Sequence, residues 1–204
     1  MIKNIIFDFD GVILDSVPIK TEAFAELFKD FPKEKVDKLI DYHKKNGGVS
    51  RYKKIQYFFE VILNKTIDEN FIQQYAEKYS LLTKQKLSDK KYLIQDSFQF
   101  IKDNYKKYAM HIASGADEND LKYICDKLNL TKYFLSINGS PKIKSEIVKE
   151  IIEKNNYDKE ETILIGDSIN DYEAAIKNEI KFYGYNNEYL KNLFYLKTFK
   201  EIIL

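Results

Sequence analysis

Short apolar runs alternate with longer amphipathic segments along most of the chain. Each run has the length of a strand, is rich in β-branched and aromatic residues, and ends in or is soon followed by Gly, Ser, Asp or Asn. The runs are KNIIFDF from Lys3, YAMHIASG from Tyr108, YFLSING from Tyr133, TILIGDS from Thr162 and IKFYGYN from Ile180. Helical patterns occupy residues 96–105, 118–128, 144–155 and 171–178. This alternation predicts an α/β fold, a doubly wound parallel sheet covered by helices on both faces.

Residues 17–91 interrupt the alternation. Their amphipathic helical patterns include TEAFAELF, VDKLIDYHKK, YKKIQYFFEVIL and FIQQYAEKYSLL, with no convincing strand among them. The pattern predicts an inserted, all-helical cap subdomain over residues 17–91 and an α/β core domain built from residues 1–16 and 92–204. Because the insertion begins shortly after the first strand, we expect the cap beside the end of that strand, with hinges near residues 15–19 and 88–93.

Composition narrows the class of partner. The 204 residues include 33 Lys and Arg against 32 Asp and Glu, a balance that indicates neither a nucleic-acid partner nor a membrane surface. No run approaches the roughly 18 uninterrupted apolar residues of a membrane helix. The single cysteine, Cys125, excludes an internal disulfide framework and a multi-cysteine zinc site. A reducing compartment, the cytoplasm, is therefore expected, and the oligomeric state is not indicated.

Polar residues at the predicted strand ends carry the candidate chemistry, because open parallel sheets bind ligands at the carboxyl ends of their strands. These residues are Asp8, Asp10 and Gly11 after the first strand, Ser114 and Gly115 after the second, and Gly166, Asp167, Ser168 and Asp171 after the fourth. Three aspartates at one edge, Asp8, Asp10 and Asp167, would repel one another without a hard divalent cation between them. Mg²⁺ suits such a site because it prefers oxygen ligands and often binds beside a phosphate.

A phosphate at this edge would need further positive charge. Lys144 opens a predicted helix, where the helix dipole disfavours a cation, so a role outside the helix is indicated. Lys144, the Ser114 hydroxyl and backbone N–H groups after Asp8 could neutralise and orient phosphate oxygens. An aspartate such as Asp8 can attack phosphorus to give an aspartyl-phosphate, and a second carboxylate at Asp10 can act as acid and base.

Each candidate also has a structural interpretation. Asp10 with Gly11 is a common turn, and Asp167 with Ser168, or Ser114 alone, could cap the helix that follows. Three strand ends with reactive side chains together favour a shared site over three unrelated caps. Outside these ends, the helical pattern around Cys125 predicts a buried apolar side chain, and the segment YFFEVIL predicts cap core. His43 and His111 have no partner at metal-ligand spacing, so surface or packing roles are predicted.

Four motifs in order resemble those of the haloacid dehalogenase superfamily of phosphotransferases. They are DFDGVILDS, ASG, a lysine that opens a helix, and IGDSIND, and the resemblance covers residues 1 to about 187. The helical insertion between the first and second motifs resembles the cap of the phosphoglycolate phosphatase and β-phosphoglucomutase branch.

The resemblance implies a role for each motif residue. Asp8 would be the nucleophile, and Asp10 would protonate the leaving group and then activate water. Ser114, Gly115 and Lys144 would bind the phosphoryl group. Mg²⁺ would be held by Asp8, the backbone carbonyl of Asp10, and Asp167. Asp171 would orient a metal-bound water or pair with Lys144, and the supporting residues would include Gly11 and Ser168.

Two assignments keep alternatives. Much of this branch has a Lys-Pro pair at the third motif, whereas this chain has GSPKIKSE, so Lys142 is the alternative to Lys144. In the insertion, NGGVSRYKK resembles the GVSR substrate loop of β-phosphoglucomutases, which makes Ser50 and Arg51 candidate substrate contacts. The structural interpretation of Arg51 is a surface residue in a first helical turn.

The implied activity is a Mg²⁺-dependent phosphatase that hydrolyses a small phosphorylated metabolite. A sugar-phosphate mutase is the nearest alternative, but Gly166 stands before Asp167 where such mutases carry a glutamate, and they lack an acid at the place of Asp171. Haloacid dehalogenation is the less favoured reaction, because it needs no Mg²⁺ and would leave Asp10 and Asp167 without a role. A non-catalytic protein that binds a phosphometabolite is the alternative outside the enzymes.

Overall fold

A parallel sheet of six strands forms the centre of residues 1–201, the part of the chain that the computed structural model describes. Its order is β3-β2-β1-β4-β5-β6. The strands are β1 (Asn4–Phe7), β2 (Ala109–Asp117), β3 (Ser136–Ser140), β4 (Thr162–Gly166), β5 (Lys181–Tyr185) and β6 (Tyr195–Leu196). All residues of β1 and β4 are buried, as expected of central parallel strands covered on both faces. The predicted doubly wound α/β fold is confirmed.

Eight α-helices lie within the described residues. They are α1 (Val17–Leu27), α2 (Lys33–Lys45), α3 (Arg51–Tyr57), α4 (Glu69–Leu87), α5 (Gln95–Asn104), α6 (Glu118–Lys127), α7 (Lys144–Asn155) and α8 (Ile169–Lys177). A π-helical turn, Phe58–Ile62, continues α3. Single 3₁₀ turns occupy Lys90–Tyr92, Thr131–Tyr133, Lys159–Glu161, Glu188–Leu190 and Phe199–Glu201. No helix among these residues is long and apolar enough to cross a membrane.

Alternate residues of the central strands face opposite layers, which places helices on both sides of the sheet. Ile163 and Ile165 of β4 join the apolar cluster that contains α5 and α6, whereas Leu164 between them joins the cluster of α7 and α8. This period of two is the geometry of an extended strand. Cys125 lies fully buried in the first cluster, so its predicted apolar role is confirmed.

Helices α1 to α4 pack around an apolar cluster of their own. At its centre Phe28 is fully buried, and its ring lies near the rings of Phe31, Phe58, Phe59 and Tyr75. Full burial of one such side chain contributes roughly 1.5–3 kcal/mol. The prediction that YFFEVIL supplies core to the insertion is confirmed by Phe58 and Phe59.

The two segments that join this helical group to the sheet run side by side. Asp15 donates its backbone N–H to the carbonyl of Tyr92 at 2.8 Å, and Ile94 donates to the carbonyl of Ile13 at 3.0 Å. Pro18 stands in the first turn of α1, where the missing N–H leaves no helical bond unmade. Both crossings therefore lie beside the carboxyl end of β1.

Local differences from the predicted elements have identifiable causes. Strand β3 begins at Ser136 because the preceding residues, Thr131–Tyr133, form a 3₁₀ turn, and β2 continues to Asp117. Strand β6 was not predicted because its two residues, Tyr195–Leu196, are too few to show a period. His43 and His111 are both buried, and His111 contacts Ser136 and Tyr157, so their predicted packing role is confirmed.

Candidate active site

Carboxylates meet at the point where the two halves of the sheet diverge. Strands β1 and β4 are paired along their length, so Asp8 and Asp167 follow neighbouring strand ends. From β1 the chain builds β2 and β3 on one side, then returns to build β4 and β5 on the other, and open sheets bind ligands at such a switch point. Asp171, from the first turn of α8, completes the group. One carboxylate oxygen each from Asp8, Asp167 and Asp171 lie within 4.8 Å of one another.

Burial and mutual repulsion raise the pKa values of two of these carboxyl groups. Burial, followed by the charge of Asp171, raises the pKa of Asp8 to about 7, although Lys144 offsets part of the rise. Burial, followed by the charge of Asp8, holds the pKa of Asp167 well above its usual value. Lys144 alone therefore does not neutralise the three carboxylates. A donor set made of oxygen with surplus negative charge fits a hard divalent cation such as Mg²⁺.

The side chain of Asp10 lies outside this cluster, which corrects the grouping of Asp10 with Asp8 and Asp167. Its Oδ1 accepts a hydrogen bond from the Ser16 hydroxyl at 2.5 Å, and its Oδ2 pairs with Nζ of Lys20 at 2.6 Å. Burial alone would raise the pKa of Asp10, but Lys20 and Ser16 outweigh it and hold the pKa below its usual value. Asp10 therefore carries an ionised carboxylate held against the start of α1.

Lys20 was not predicted from the sequence as a site residue. It lies in the first turn of α1, where a cation is unfavourable to the helix dipole. The same criterion drew attention to Lys144, so it would also have found Lys20. Its pairing with Asp10, however, depends on how α1 packs beside β1, and a local sequence pattern does not predict that packing.

The structure distinguishes the two candidate lysines. Nζ of Lys144 lies 2.8 Å from Oδ1 of Asp8 and also pairs with Asp171, and all three side chains are buried. Burial lowers the pKa of Lys144, but the charges of Asp171 and Asp8 outweigh it and raise the pKa. Lys142 instead pairs with Glu150 at 2.5 Å on the exposed face of α7. Lys144 is thus the lysine at the carboxylate cluster.

Asp171 and Ser168 connect that lysine to the start of α8. Oδ2 of Asp171 accepts hydrogen bonds from the backbone N–H and the hydroxyl of Ser168, at 3.0 and 2.7 Å. The two residues form a capping box, so the structural interpretation of Ser168 as a helix cap holds. The cap leaves Oδ1 of Asp171 for Lys144. The pairing of Asp171 with Lys144, one of its two expected roles, is therefore observed.

Ser114 and Gly115 border the same edge of the sheet. Ser114 is fully buried, and its hydroxyl accepts a hydrogen bond from the backbone N–H of Ala116 at 3.0 Å. The cap of α6 is Asp117, so the structural interpretation of Ser114 as a helix cap is wrong. A Cβ on Gly115 would stand 2.3 Å from the carbonyl oxygen of Gly48, so only glycine lets the NGGVSRYKK segment approach.

Gly11 forms the floor of the acidic cluster. Its φ of +75° suits the turn that was predicted for Asp10 and Gly11. A Cβ at this position would lie 2.0 Å from Oδ2 of Asp167. The glycine therefore permits both the turn after β1 and the position of the Asp167 carboxylate.

Residues 5–185 match the family model of the haloacid dehalogenase-like hydrolases, and this range includes the helical insertion and the sheet up to β5. The chain belongs to the haloacid dehalogenase-like hydrolase family. The superfamily that the four motifs resemble is therefore confirmed, and the site described above lies at the positions of those motifs.

Similar proteins include hydrolases and a mutase. A phosphorylated carbohydrates phosphatase from Thermotoga maritima is 24% identical over 178 residues, which cover 85% of this chain and 80% of that protein. A β-phosphoglucomutase from Clostridium difficile has the same fold, with a TM-score of 0.80 at 18% identity over 100% of this chain and 94% of the other. CbbY from Rhodobacter sphaeroides, in complex with xylulose-(1,5)bisphosphate, has a TM-score of 0.77 at 15% identity, covering 98% of this chain and 96% of that one.

In this haloacid dehalogenase-like hydrolase, a cleft of about 1200 Å³ opens between the NGGVSRYKK segment and the sheet edge. Gly48, Ser50 and Tyr52 line it on one side, and Gly115 and Lys144 on the other. The Ser50 hydroxyl accepts from the backbone N–H of Lys53 at 3.5 Å and caps α3. The structure thus brings Ser50 to the cleft while giving it a structural partner.

Arg51 does not project into this cleft as a free cation. Its guanidinium pairs with Asp120 at 2.7 Å and bonds the hydroxyl of Ser80 at 2.5 Å and the carbonyl of Ala76 at 3.2 Å. The interpretation of Arg51 as a surface residue is wrong, because it is buried. The guanidinium joins α3 to α4 and α6, and a contact of Arg51 with substrate stays a prediction. Asp120, its partner, carries no signal in the sequence.

This arrangement predicts the effect of Asp120→Asn. The substitution keeps the size of the side chain and removes the charge that faces Arg51, so we expect the free energy of unfolding to fall by about 2 kcal/mol. Urea denaturation measures the change. Asp126→Asn, an exposed position on the same helix, serves as the control and should change it by less than about 0.5 kcal/mol. Equal effects at the two positions would show that the ion pair contributes nothing.

Proposed function

We propose that this hydrolase is a Mg²⁺-dependent phosphatase that removes the phosphate from a small phosphate monoester through an aspartyl-phosphate on Asp8. One observation carries the proposal: Asp8 stands at the switch point with one oxygen held and the other available. Its Oδ1 accepts from the backbone N–H of Phe9 at 2.7 Å and lies 2.8 Å from Nζ of Lys144. Within residues 1–201, no hydrogen bond is made to Oδ2, so Oδ2 is the atom assigned to attack.

The proposed cycle has two steps. First, Oδ2 of Asp8 forms a bond to phosphorus as the ester P–O bond breaks, and the leaving oxygen takes a proton from Asp10. Second, water gives a proton to Asp10 and its oxygen bonds to phosphorus as the P–O bond to Oδ2 of Asp8 breaks, which releases phosphate and restores Asp8 and protonated Asp10. The first step needs Asp10 in its protonated form, which the second step regenerates. The contacts of Asp10 with Lys20 and Ser16 favour the ionised form, which is the base of the second step.

Charge neutralisation supports both steps. Lys144 and the hydroxyl of Ser114 are assigned to the phosphoryl oxygens, and Asp171 keeps Lys144 in place through their ion pair. The carboxylates of Asp8 and Asp167 and the backbone carbonyl of Asp10 would hold Mg²⁺. When bound, the cation would neutralise surplus carboxylate charge and orient phosphate oxygens.

The proposed substrate is a small phosphorylated metabolite. We propose that residues 17–91 act as a cap that closes over the sheet edge, which would exclude polymers and bulk water. The Thermotoga relative is a phosphatase of phosphorylated carbohydrates, and the CbbY structure holds a sugar bisphosphate. These relatives support a phosphorylated sugar as the first class to test.

Metal removal gives a direct test of the activity. We expect phosphate release from a panel of monoesters to fall by at least ~100-fold in EDTA and to return with added Mg²⁺, because surplus carboxylate charge would otherwise repel the phosphate. Mg²⁺ should also raise the melting temperature at pH 8, since it binds only the folded protein. Full turnover in EDTA would contradict the metal dependence.

The same panel separates the alternatives. With β-glucose 1-phosphate, free phosphate and glucose 6-phosphate are both measured. Isomerisation without net phosphate release would identify a mutase, an outcome favoured by the position of the GVSR segment beside Gly115. Binding of phosphate esters without either product would identify a non-catalytic binding protein.

A further inference from the structure

Lys54 is a buried lysine without an acidic partner. Its side chain belongs to α3 and only 3% of the residue is exposed. Nζ contacts Nδ1 of His43 at 3.0 Å and the carbonyl oxygen of Gly47 at 3.4 Å. Within the described residues, no carboxylate lies within 4.0 Å of this nitrogen, whereas the buried Lys144 and Arg51 each have carboxylate partners at that distance.

His43 orients this ammonium without neutralising it. Burial, followed by the charge of Lys54, lowers the pKa of His43 to about 3, so the ring is neutral. Because Nδ1 accepts from Lys54, the ring proton lies on Nε2, which is buried and has no acceptor among residues 1–201. When Lys54 is protonated, the pair therefore contains a cation and an unused N–H donor, and no negative charge.

The position of Lys54 places this cation on the cap side of the catalytic edge. The adjacent Gly47 and Gly48 lie directly over α8, since a Cβ on Gly48 would stand 2.9 Å from the Ser168 hydroxyl. The charges of Asp10 and Asp167 both act on Lys54. A leaving group that takes its proton from Asp10 would extend toward this side of the site.

Keeping an uncompensated ammonium in this position is costly. Burial, followed by the charge of Lys20, lowers the pKa of Lys54 to about 7. An apolar side chain of similar length, such as methionine, would avoid that cost. An anionic oxygen would instead satisfy the ammonium with a charge-assisted hydrogen bond and could replace the long contact to the Gly47 carbonyl.

We propose that Lys54 binds a second anionic group of the substrate, a carboxylate or a phosphate, with His43 as its positioning residue. The inference rests on the proposed phosphatase function and adds a substrate class: phosphate monoesters whose leaving group carries its own oxyanion.

Matched substrates test the inference. 2-Phosphoglycolate is compared with 2-hydroxyethyl phosphate for a carboxylate, and glucose 1,6-bisphosphate with glucose 1-phosphate for a phosphate. The native protein should prefer the doubly anionic member of at least one pair. Lys54→Met should reduce kcat/KM for that member by roughly 10- to 100-fold, with a loss at least tenfold smaller for its partner. No preference in either pair, or equal losses within the pair, would overturn the inference.

Control variants separate binding from structure. Lys54→Arg keeps the cation and should recover part of the preference, and Lys44→Met removes an exposed lysine of α2 and should leave it intact. The Lys54→Met protein should melt at the native temperature or a few degrees higher, because a buried charge has been removed.

His43→Leu should raise KM for the doubly anionic substrate by ~3- to 10-fold without lowering kcat, and His43→Gln, which keeps an acceptor, should restore the native KM. A lower melting temperature with uniform loss of activity would assign Lys54 a structural role instead.

Binding to Asp8→Asn protein distinguishes failure of this inference from failure of the proposed function. Calorimetry with 2-phosphoglycolate and glucose 1,6-bisphosphate needs no turnover. The doubly anionic compounds should bind more tightly than their singly anionic partners, and Lys54→Met should abolish the difference. This result would support the subsite even if no ester were hydrolysed. Hydrolysis by the native protein without such a preference in binding would uphold the phosphatase and overturn the subsite.

Discussion

Asp8→Asn is expected to lower Mg²⁺-dependent phosphate release by at least ~10⁴-fold, because an amide cannot attack phosphorus as a carboxylate does. Asp10 and Asp171 are not placed to replace Asp8 as the nucleophile, because Asp10 pairs with Lys20, and Asp171 pairs with Lys144 and Ser168. Initial rates at saturating substrate measure the loss. Asp15→Asn, an exposed aspartate in the same motif, is the matched control and should retain activity within about threefold. Comparable rates for native and Asp8→Asn protein would reject the nucleophile.

The same substitution has a predicted effect on stability that depends on pH. The pKa of Asp8 is raised to about 7 from an ordinary 3.8, so folding of the metal-free protein opposes ionisation of this group. The cost is absent below pH 4 and grows as the pH rises to 7, where it reaches about 4 kcal/mol at most.

Metal-free Asp8→Asn protein lacks this cost. It should therefore melt at a higher temperature than the native protein at pH 8, and the two should converge near pH 4. Thermal melts in EDTA across this range make the comparison. A less stable variant at pH 8 would mean that the ion pair with Lys144 outweighs the cost of burying the charge.

Lys144→Met is the second substitution with a large expected effect. It leaves Asp8 and Asp171 buried without their cation, and breaking such a pair costs about 3–5 kcal/mol. Loss of the charge assigned to the phosphoryl oxygens should also reduce phosphate release by at least ~10³-fold. Urea denaturation at pH 7 and initial rates provide the two measurements.

Lys142→Met is the matched control for this experiment. Its pair with Glu150 is exposed, so its loss should change the free energy of unfolding by less than about 0.5 kcal/mol. The two lysines stand two residues apart in the same motif. Equal effects on activity would therefore contradict the assignment of Lys144, rather than Lys142, as the phosphate-binding lysine.

Much of the fold and part of the site could be predicted from local signals. Strand β4 is an apolar run whose residues alternate between two helix layers, and the run itself is visible in TILIG. Asp8 and Asp167 were predicted neighbours because parallel strands end at a common edge. Strand β6 was beyond such reasoning, since two residues have no period.

The contacts that the sequence did not indicate share a physical origin, which is the direction in which each side chain points. Asp10 and Asp8 are close in sequence, yet the Asp10 carboxylate turns to Lys20 and Ser16, while Asp171 enters the cluster in its place. Arg51, a predicted substrate contact, pairs with Asp120, a partner that the sequence did not indicate. Each partner lies on another element, so its identity depends on packing and not on local pattern.

The sequence by itself determined the α/β class, the helical insertion, the order of the four motifs and therefore the family. Periodicity and spacing along the chain carry that information, because they decide which residues form strands, helices and strand ends. Only the tertiary structure decided which carboxylates share the site, that Lys144 rather than Lys142 joins them, and that Lys54 lies buried without an acidic partner. Those facts depend on burial and on contacts between distant segments, where a charge must find a partner or shift its pKa.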